Sequence, residues 1–95
     1  MAAYFIAQLE ITDPAGFDQY RKLVAPLVAK YGGKYVVRGG AIEPIEGDWA
    51  PKRLVILEFE SVERAKQWHD SEDYRPVMEM RHKSAITNAV IVEGA

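Results

Sequence analysis

The hydrophobic positions of the chain follow two spacings, one typical of strands and one typical of helices. Short runs rich in β-branched and aromatic residues that end at turn residues predict strands. Apolar residues that recur every three or four positions predict helices. The predicted strands cover residues 4–11, 34–42, 53–59 and 86–92, and the predicted helices cover 14–31, 62–70 and about 74–85. This order is that of a ferredoxin-like βαββαβ domain of the α+β class, with an antiparallel sheet and its helices on one face.

Polar and glycine residues support these boundaries. Asp13 followed by Pro14 is a helix start, because the carboxylate caps free N–H groups and proline lacks an N–H that would need a partner there. Ser61 is the equivalent cap of the second helical region, which breaks at Asp70 and Ser71. Gly32 and Gly33 end the first helix. Two further glycines, at 39 and 40, predict either a bulge in the second strand or a close approach of another group to its backbone.

The strands are apolar on both sides, although helices can cover only one side. In the first strand Phe5, Ala7 and Leu9 alternate with Tyr4, Ile6 and Gln8, and in the third strand Val55, Leu57 and Phe59 alternate with Leu54, Ile56 and Glu58. We call the side away from the helices the open face. Monomers rarely leave such a patch in water, and burial of each Ile or Leu contributes about 1.5–3 kcal/mol. We therefore expect a homodimer in which two open faces pack together.

Composition narrows the class of protein. Ninety-five residues predict one domain, residues 1–95. The net charge of −2 does not favour a nucleic-acid partner, which requires a dense cationic surface. The chain has no cysteine, no signal-peptide pattern and no apolar run of membrane-spanning length. We expect a cytoplasmic protein that does not bind membranes.

Several segments of the chain resemble the family named domain of unknown function 1330. They are residues 4–14 (YFIAQLEITDP), 31–35 (YGGKY), 38–40 (RGG), 46–49 (EGDW) and 57–59 (LEF), followed by Trp68, Ser71 and Tyr74. The resemblance implies the dimeric α/β-barrel superfamily, and so the same fold and the same face-to-face dimer. It implies no reaction, because the superfamily includes cofactor-free monooxygenases, isomerases and haem-degrading enzymes. Gln8 stands where the haem-degrading branch has asparagine, which argues against haem chemistry.

Polar residues interrupt the open face at three positions. With the strand order 4-1-3-2, Gln8, Arg38 and Glu58 lie on neighbouring strands and can form a cluster. Glu58 is then a candidate general base, because apolar surroundings raise the pKa of a carboxyl group, and Arg38 is a candidate anchor for an anion. The alternative is a structural Arg–Glu pair that ties the dimer together.

The candidate ligand site is an apolar cavity at the open face. Its expected lining is Ile6, Ile56, Tyr35 and Trp68, with Gln8, Arg38 and Glu58 as the polar contacts. Trp68 also fits the helix core, since aromatic residues at helical spacing usually pack inside. His69 is a second candidate acid or base at the mouth of the cavity, and the alternative is a histidine at a helix end.

The histidines and the remaining aromatic and basic residues do not indicate a cofactor or a metal site. His69 and His82 are too far apart for a histidine pair on one helix, and a metal site needs three or four ligands. Trp49 is a candidate lid or dimer contact, and Arg81 a candidate partner for a sheet carboxylate. Three functions stay open: a dimer that binds a small hydrophobic or partly anionic molecule, a cofactor-independent monooxygenase or isomerase, and a purely structural dimer.

Overall fold

The computed structural model describes all 95 residues and contains four strands and three helices. The elements are β1 (Ala3–Ile11), α1 (Pro14–Lys30), β2 (Lys34–Arg38), β3 (Arg53–Phe59), α2 (Val62–His69), α3 (Arg75–Ser84) and β4 (Ala85–Glu93). The strands form one antiparallel sheet in the order β2-β3-β1-β4. The predicted ferredoxin-like α+β fold and its strand order are confirmed.

The predicted caps begin the helices. Asp13 Oδ1 accepts a hydrogen bond from the Gly16 N–H at 3.2 Å, and Ser61 Oγ accepts one from the Arg64 N–H at 3.1 Å. Both contacts satisfy backbone N–H groups that have no partner within the helix. After α1 the chain turns at Gly32, whose φ is 78°. None of the three helices is both long and apolar enough to cross a membrane.

The core lies between the helices and one side of the sheet. In β1 the buried residues alternate with partly exposed ones from Ala3 to Leu9, as expected for a strand with one covered side. Trp68 is fully buried at its centre. Its ring lies 5.1 Å from that of Phe5, 5.4 Å from that of Phe59 and 4.4 Å from that of Tyr74. Aromatic packing therefore fixes α2 and the start of α3 against the sheet.

The open face of the sheet has no helix over it. The molecule is only 17 Å thick, which corresponds to one sheet and one layer of helices. Ile6 is at the centre of this face, paired with Ile56 on one side and Val90 on the other. Two ion pairs lie at opposite ends of this face. Lys34 and Glu58, 3.6 Å apart, lie near the start of β1, and Lys52 and Glu10, 2.8 Å apart, lie near its end. The open face thus has an apolar centre and a polar rim.

A bulge in β2 changes which side chains face the helices. Tyr35 pairs with Leu57 but Val37 pairs with Ile56, so Val36 is an extra residue. One extra residue reverses the alternation of side chains beyond it. Arg38 consequently pairs with Val55, which puts it on the helix side rather than on the open face. The prediction placed the bulge at the glycines instead, and it extended β2 to residue 42, whereas the strand ends at Arg38.

A substitution at Gly39 tests whether the backbone conformation that ends β2 requires glycine. Its φ is +71°, and a Cβ added there would lie 2.3 Å from the Arg53 guanidinium. We expect Gly39→Ala to lower the free energy of unfolding by about 1–3 kcal/mol, because the conformation is strained and Arg53 must move. The matched control is Gly40→Ala, whose Cβ would meet nothing within 4 Å. Urea unfolding should show a change below about 1 kcal/mol for this control, and equal losses for both variants would contradict the interpretation.

Candidate ligand-binding cavity

A cavity of about 40 Å³ lies between the helix side of the sheet and the helices. Its lining residues are Phe5, Ala7, Leu9, Tyr20, Arg21, Val24, Tyr35, Arg38, Arg53, Val55, Leu57, Trp68 and Arg81. The volume has room for about three water molecules, since each needs about 10–15 Å³. The enclosed part therefore has room for little more than one carboxylate group, and a larger ligand must extend past Arg21 and Arg38, the exposed residues of the lining.

The lining is cationic. It contains four arginines and no aspartate, glutamate or histidine. Arg21 forms an ion pair with Asp18 at 2.7 Å on the surface of α1. The other three arginines form no salt bridge. A chain of net charge −2 thus concentrates positive charge at one small, mostly apolar site.

Arg81 is the most unusual of these residues, because it is only 4 % exposed. It lies on the inward side of α3 together with Val77 and Ser84. Its Nε is buried and has no hydrogen-bond partner. Arginine is almost never fully buried unless an anion accompanies it, since removing a charge from water costs several kcal/mol. The predicted carboxylate partner is absent, so the geometry around Arg81 is suited to an anion.

Arg38 ends the edge strand β2, and Arg53 begins the neighbouring internal strand β3. The Arg38 guanidinium is 4.1 Å from the centre of the Tyr35 ring, and the Arg53 guanidinium is 5.6 Å from that of Phe17. Arg53 Nε is buried without a partner. Burial lowers the pKa of Arg53, and the nearby charges of Arg21 and Arg38 lower it further. Such mutual repulsion of cations is relieved when an anion binds among them.

Tyr20 and Tyr35 add hydroxyl groups to the lining, and Tyr74 lies behind Tyr20, outside the lining. The hydroxyls of Tyr20 and Tyr74 are 2.8 Å apart and share a buried hydrogen bond between α1 and the start of α3. Burial raises the pKa of Tyr20 and of Tyr74, although Arg81 counteracts part of each shift. Burial also raises the pKa of Tyr35. These hydroxyls therefore stay protonated at neutral pH and can donate hydrogen bonds.

Three of the predicted site residues line this cavity, but not at the predicted place. Tyr35, Arg38 and Trp68 are in the lining. This cavity lies on the helix side of the sheet, whereas the prediction placed the ligand site at the open face, where Ile6, Gln8 and Trp49 line a separate and more open hollow. The open-face site stays a prediction. Trp68 is fully buried in the core, and its Nε1 has no hydrogen-bond partner.

The remaining sheet residues of the prediction lie on the open face. Gln8 accepts a hydrogen bond from Trp49 Nε1 at 2.6 Å, Glu58 is paired with Lys34, and Ile56 is beside Ile6. The expected Gln8–Arg38–Glu58 cluster does not form, because the bulge turns Arg38 to the other side of the sheet. The expected Arg38–Glu58 pair is absent for the same reason.

His69 lies beside the aromatic core rather than in the cavity. Its Nδ1 is 3.0 Å from Asp70 Oδ1, and its ring is 6.0 Å from that of Phe5. It is not among the lining residues. A catalytic role for Glu58 or His69 stays a prediction. No group of three or more His, Cys, Asp or Glu side chains lies close enough to hold a metal ion.

The sequence interpretation missed the roles of Arg53 and Arg81, although both have a periodicity signal. Arg53 precedes Val55 by two residues and Leu57 by four, so all three side chains are on the same side of β3, the side that faces the helices. Arg81 follows Val77 by four positions and precedes Ser84 by three, so it continues an inward helical stripe. An arginine at such a position indicates a buried charge.

The fold and the cavity together define a ferredoxin-like α+β domain with a cationic cavity between its sheet and helices. Residues 2–95 match the family described as domain of unknown function DUF1330, and the chain belongs to this family. No curated protein matches the chain.

Solved structures share the fold at low sequence identity. The protein of unknown function RPA0582 from Rhodopseudomonas palustris has a TM-score of 0.76 at 15 % identity, over 99 % of this chain and 82 % of that one. SnoaB, a cofactor-independent oxygenase from Streptomyces nogalater, has a TM-score of 0.70 at 13 % identity, over 99 % and 93 %. A dimeric ferredoxin-like protein of unknown function from Jannaschia sp. CCS1 has a TM-score of 0.68 at 13 % identity, over 99 % and 100 %.

The tyrosine pair gives a pH-dependent prediction. The folded Tyr20 and Tyr74 hydroxyls keep their protons to higher pH than unfolded tyrosines, whose pKa is about 10. Their contribution to stability is therefore complete below about pH 10 and falls as the pH rises beyond it. We expect Tyr20→Phe to lower stability by about 1–3 kcal/mol at pH 8, because Tyr74 loses its buried partner.

The measurement is urea unfolding between pH 8 and pH 11. Stability of the Tyr20→Phe protein should fall less steeply above pH 10 than that of the wild type, because one of the buried hydroxyls is gone. Tyr4→Phe is the control, since Tyr4 lies on the open face outside this pair. Parallel pH profiles for wild type and Tyr20→Phe would contradict the assignment.

Proposed function

We propose that this protein is a homodimeric binding domain for a small apolar molecule that carries a carboxylate. The acid group of the ligand occupies the enclosed part of the cavity at Arg81, and its hydrocarbon part extends towards the open side, past the exposed Arg21 and Arg38. The observation that carries the proposal is the buried Arg81, which has no salt-bridge partner in a cavity without carboxylates.

Energetic reasoning supports an anionic ligand. A buried cation without a charged partner destabilises the folded chain, and the Tyr74 hydroxyl, which contacts Arg81, supplies no opposite charge. A structural role therefore explains the position of Arg81 poorly. A bound carboxylate converts this cost into charge-assisted hydrogen bonds, which are roughly twice as strong as neutral ones. An apolar cavity with a few convergent polar groups is also the usual form of a small-molecule site.

A reaction is the second candidate function. One structural neighbour, SnoaB, is a cofactor-independent oxygenase, but at 13 % identity it shares only the fold. The two residues predicted to act as acid or base, Glu58 and His69, do not line the cavity. The ionisable groups that do line it are arginines and tyrosines, which at neutral pH stabilise an anion rather than accept a proton. The cavity therefore favours binding over acid–base catalysis by those two residues.

The open face supports the homodimer. Val90 is 58 % exposed, and Val92, Ile86 and Val36 are also exposed in the single chain. An apolar centre with a polar rim is the usual anatomy of a protein interface. The rim carboxylates of Glu10 and Glu58 are already paired with lysines of the same chain. Two copies can therefore approach without strong charge repulsion.

The ligand proposal predicts an unusual phenotype for Arg81→Met. Without ligand, this variant should be as stable as the wild type or more stable, because an apolar side chain replaces an unpaired buried charge. Hexanoate at 100 times its dissociation constant should stabilise the wild type by about 2.7 kcal/mol and should not stabilise the variant. Thermal unfolding with and without hexanoate measures both effects.

Two controls isolate the contribution of the buried guanidinium and of the ligand's charge. Arg75→Met removes an exposed arginine from the same helix and should keep the hexanoate response. Hexanamide, which is neutral, should stabilise neither protein. If Arg81→Met destabilised the protein strongly and hexanoate had no effect on the wild type, Arg81 would be structural and the ligand proposal would be wrong.

The dimer proposal is tested at Val90. We expect Val90→Glu to convert the dimer to monomers, because it buries a carboxylate at the centre of the interface, where desolvation costs several kcal/mol. The matched control is Leu23→Glu on α1, which changes a similarly exposed apolar residue away from the open face and should stay dimeric. Sedimentation velocity at micromolar concentration is the measurement, and a monomeric wild type would refute the dimer.

A further inference from the structure

The opening of the cavity lies beside two arginines. Arg21 and Arg38 are the exposed residues of the lining, and all the others are buried or half-buried. The enclosed space of about 40 Å³ is filled by little more than a carboxylate. The rest of a bound acid therefore has to pass a guanidinium group on its way out.

On the side of Arg21, the cavity adjoins a second hollow. This outer hollow, of about 290 Å³, is lined by Ile11, Pro14, Phe17, Asp18, Arg21 and Arg53. Arg21 and Arg53 line the cavity as well, so these two side chains form the boundary between the enclosed space and the outer hollow. The outer hollow has room for the part of a ligand that the cavity cannot hold.

Arg53 is packed firmly at this boundary. Its guanidinium is 5.6 Å from the centre of the Phe17 ring, and a Cβ added to Gly39 would lie 2.5 Å from its Cζ. It forms no salt bridge, and its Nε is buried without a hydrogen-bond partner. The boundary thus contains a fixed cation that is partly removed from water.

Arg21 adds a second cation, held in place by its own helix. Its Nη2 donates a hydrogen bond to Asp18 Oδ1 at 2.7 Å. A carboxylate accepts such a hydrogen bond at the edge of the planar guanidinium, which leaves the faces of the plane available for stacking. A ligand that passes the boundary therefore meets one guanidinium that is half-buried and another that can stack.

These two cations favour an aromatic ring over an alkyl chain. An alkyl chain beside Arg21 and Arg53 removes water from charged groups without replacing it by a partner. The face of an aromatic ring carries partial negative charge and attracts a cation within about 6 Å of its centre. Phe17 already has this relation to Arg53, and the Tyr35 ring has it to Arg38 at 4.1 Å. Aromatic rings thus already accompany two arginines of the site.

We propose that the ligand class is an aromatic carboxylic acid, with its carboxylate at Arg81 and its ring beside Arg21 and Arg53 in the outer hollow. This inference rests on the proposed function, because it requires that the cavity binds a carboxylate. It adds that the π face of the ligand, rather than its apolar area alone, determines which acids bind tightly.

The experiment is calorimetric titration of the protein at neutral pH with matched pairs of acids. Benzoate, phenylacetate and 3-phenylpropanoate are each compared with the acid in which cyclohexyl replaces phenyl. Both members of a pair have the same charge and the same number of carbon atoms, but the cyclohexyl acid is the more apolar. We expect the best phenyl acid to bind at least fivefold more tightly than its cyclohexyl counterpart, whereas apolar burial alone predicts the opposite order.

A fluorinated ligand separates ring electrostatics from ring shape. A pentafluorophenyl group is flat like phenyl, but its face is electropositive, so it repels a cation instead of attracting it. The pentafluorophenyl version of the best acid should therefore lose the advantage over the cyclohexyl acid. A pentafluorophenyl acid that binds as tightly as the phenyl acid would show that the cations do not recognise the ring face, and the inference would be wrong.

A substitution at the boundary tests where the ring lies. Arg21→Met should lower the ratio of phenyl to cyclohexyl affinity at least threefold, because one of the two cations beside the ring is gone. Arg21 is exposed, so its substitution does not disturb the core. The matched control is Lys22→Met, which removes the neighbouring exposed cation outside the cavity and the outer hollow and should keep the ratio. Arg81→Met should weaken both acids alike.

The outcomes distinguish this inference from the proposed function. If the acids bind and the cyclohexyl members bind as tightly as the phenyl members, the aromatic-acid inference is wrong and the proposed function stands. If Arg21→Met and wild type prefer phenyl to the same degree, the ring does not lie in the outer hollow and the inference is again wrong. If neither these acids nor hexanoate binds the wild type, both the inference and the proposed function are wrong.

Discussion

The packing of Trp68 is the contact on which the rest of the molecule depends. Its ring joins β1 and β3, through Phe5 and Phe59, to Tyr74 at the start of α3. Tyr74 is in turn hydrogen-bonded to Tyr20 on α1, so one continuous set of aromatic contacts ties all three helices to the sheet. The cavity lies beside this set and shares its residues. The same side chains therefore hold the fold together and form the wall of the candidate site, so the packing of the core fixes the donors in place.

The cavity has a composition that stability alone does not explain. A small domain has a modest core, yet this one includes a nearly fully buried arginine without a salt-bridge partner and two further arginines close to each other. Natural proteins keep such unfavourable groups mainly at functional sites, where a ligand or a transition state compensates for them. Under the proposed function, an anion that binds in the cavity offsets this cost. The electrostatics of the interior therefore says more about function here than the fold, which is shared by proteins with unrelated activities.

The two sides of the sheet have different roles. The helix side contains the core and the cationic cavity, while the open face has an apolar centre and a rim of ion pairs. Trp49 belongs to the open face, because its indole N–H is donated to Gln8 there. Glu58 is likewise part of the rim through Lys34. Residues that the sequence analysis grouped into one polar site are thus divided between the open face and the cavity.

The sequence by itself determined the fold, the strand order, the helix caps and the two-sided character of the sheet. The caps, the end of α1 and the two-sided sheet follow from local signals: the cap residues Asp13 and Ser61, the glycine turn after α1, and the alternation of β1 and β3. The strand order follows instead from the βαββαβ succession of elements, which restricts the possible topologies. The sequence did not determine the candidate site, because one extra residue in β2 reverses the side of the sheet on which Arg38 lies. That bulge depends on pairing with β3, which is distant along the chain. Tertiary structure also decided that Arg81 forms no salt bridge. Which residues surround Arg81 depends on how the helices pack on the sheet, and the sequence around position 81 does not contain this information.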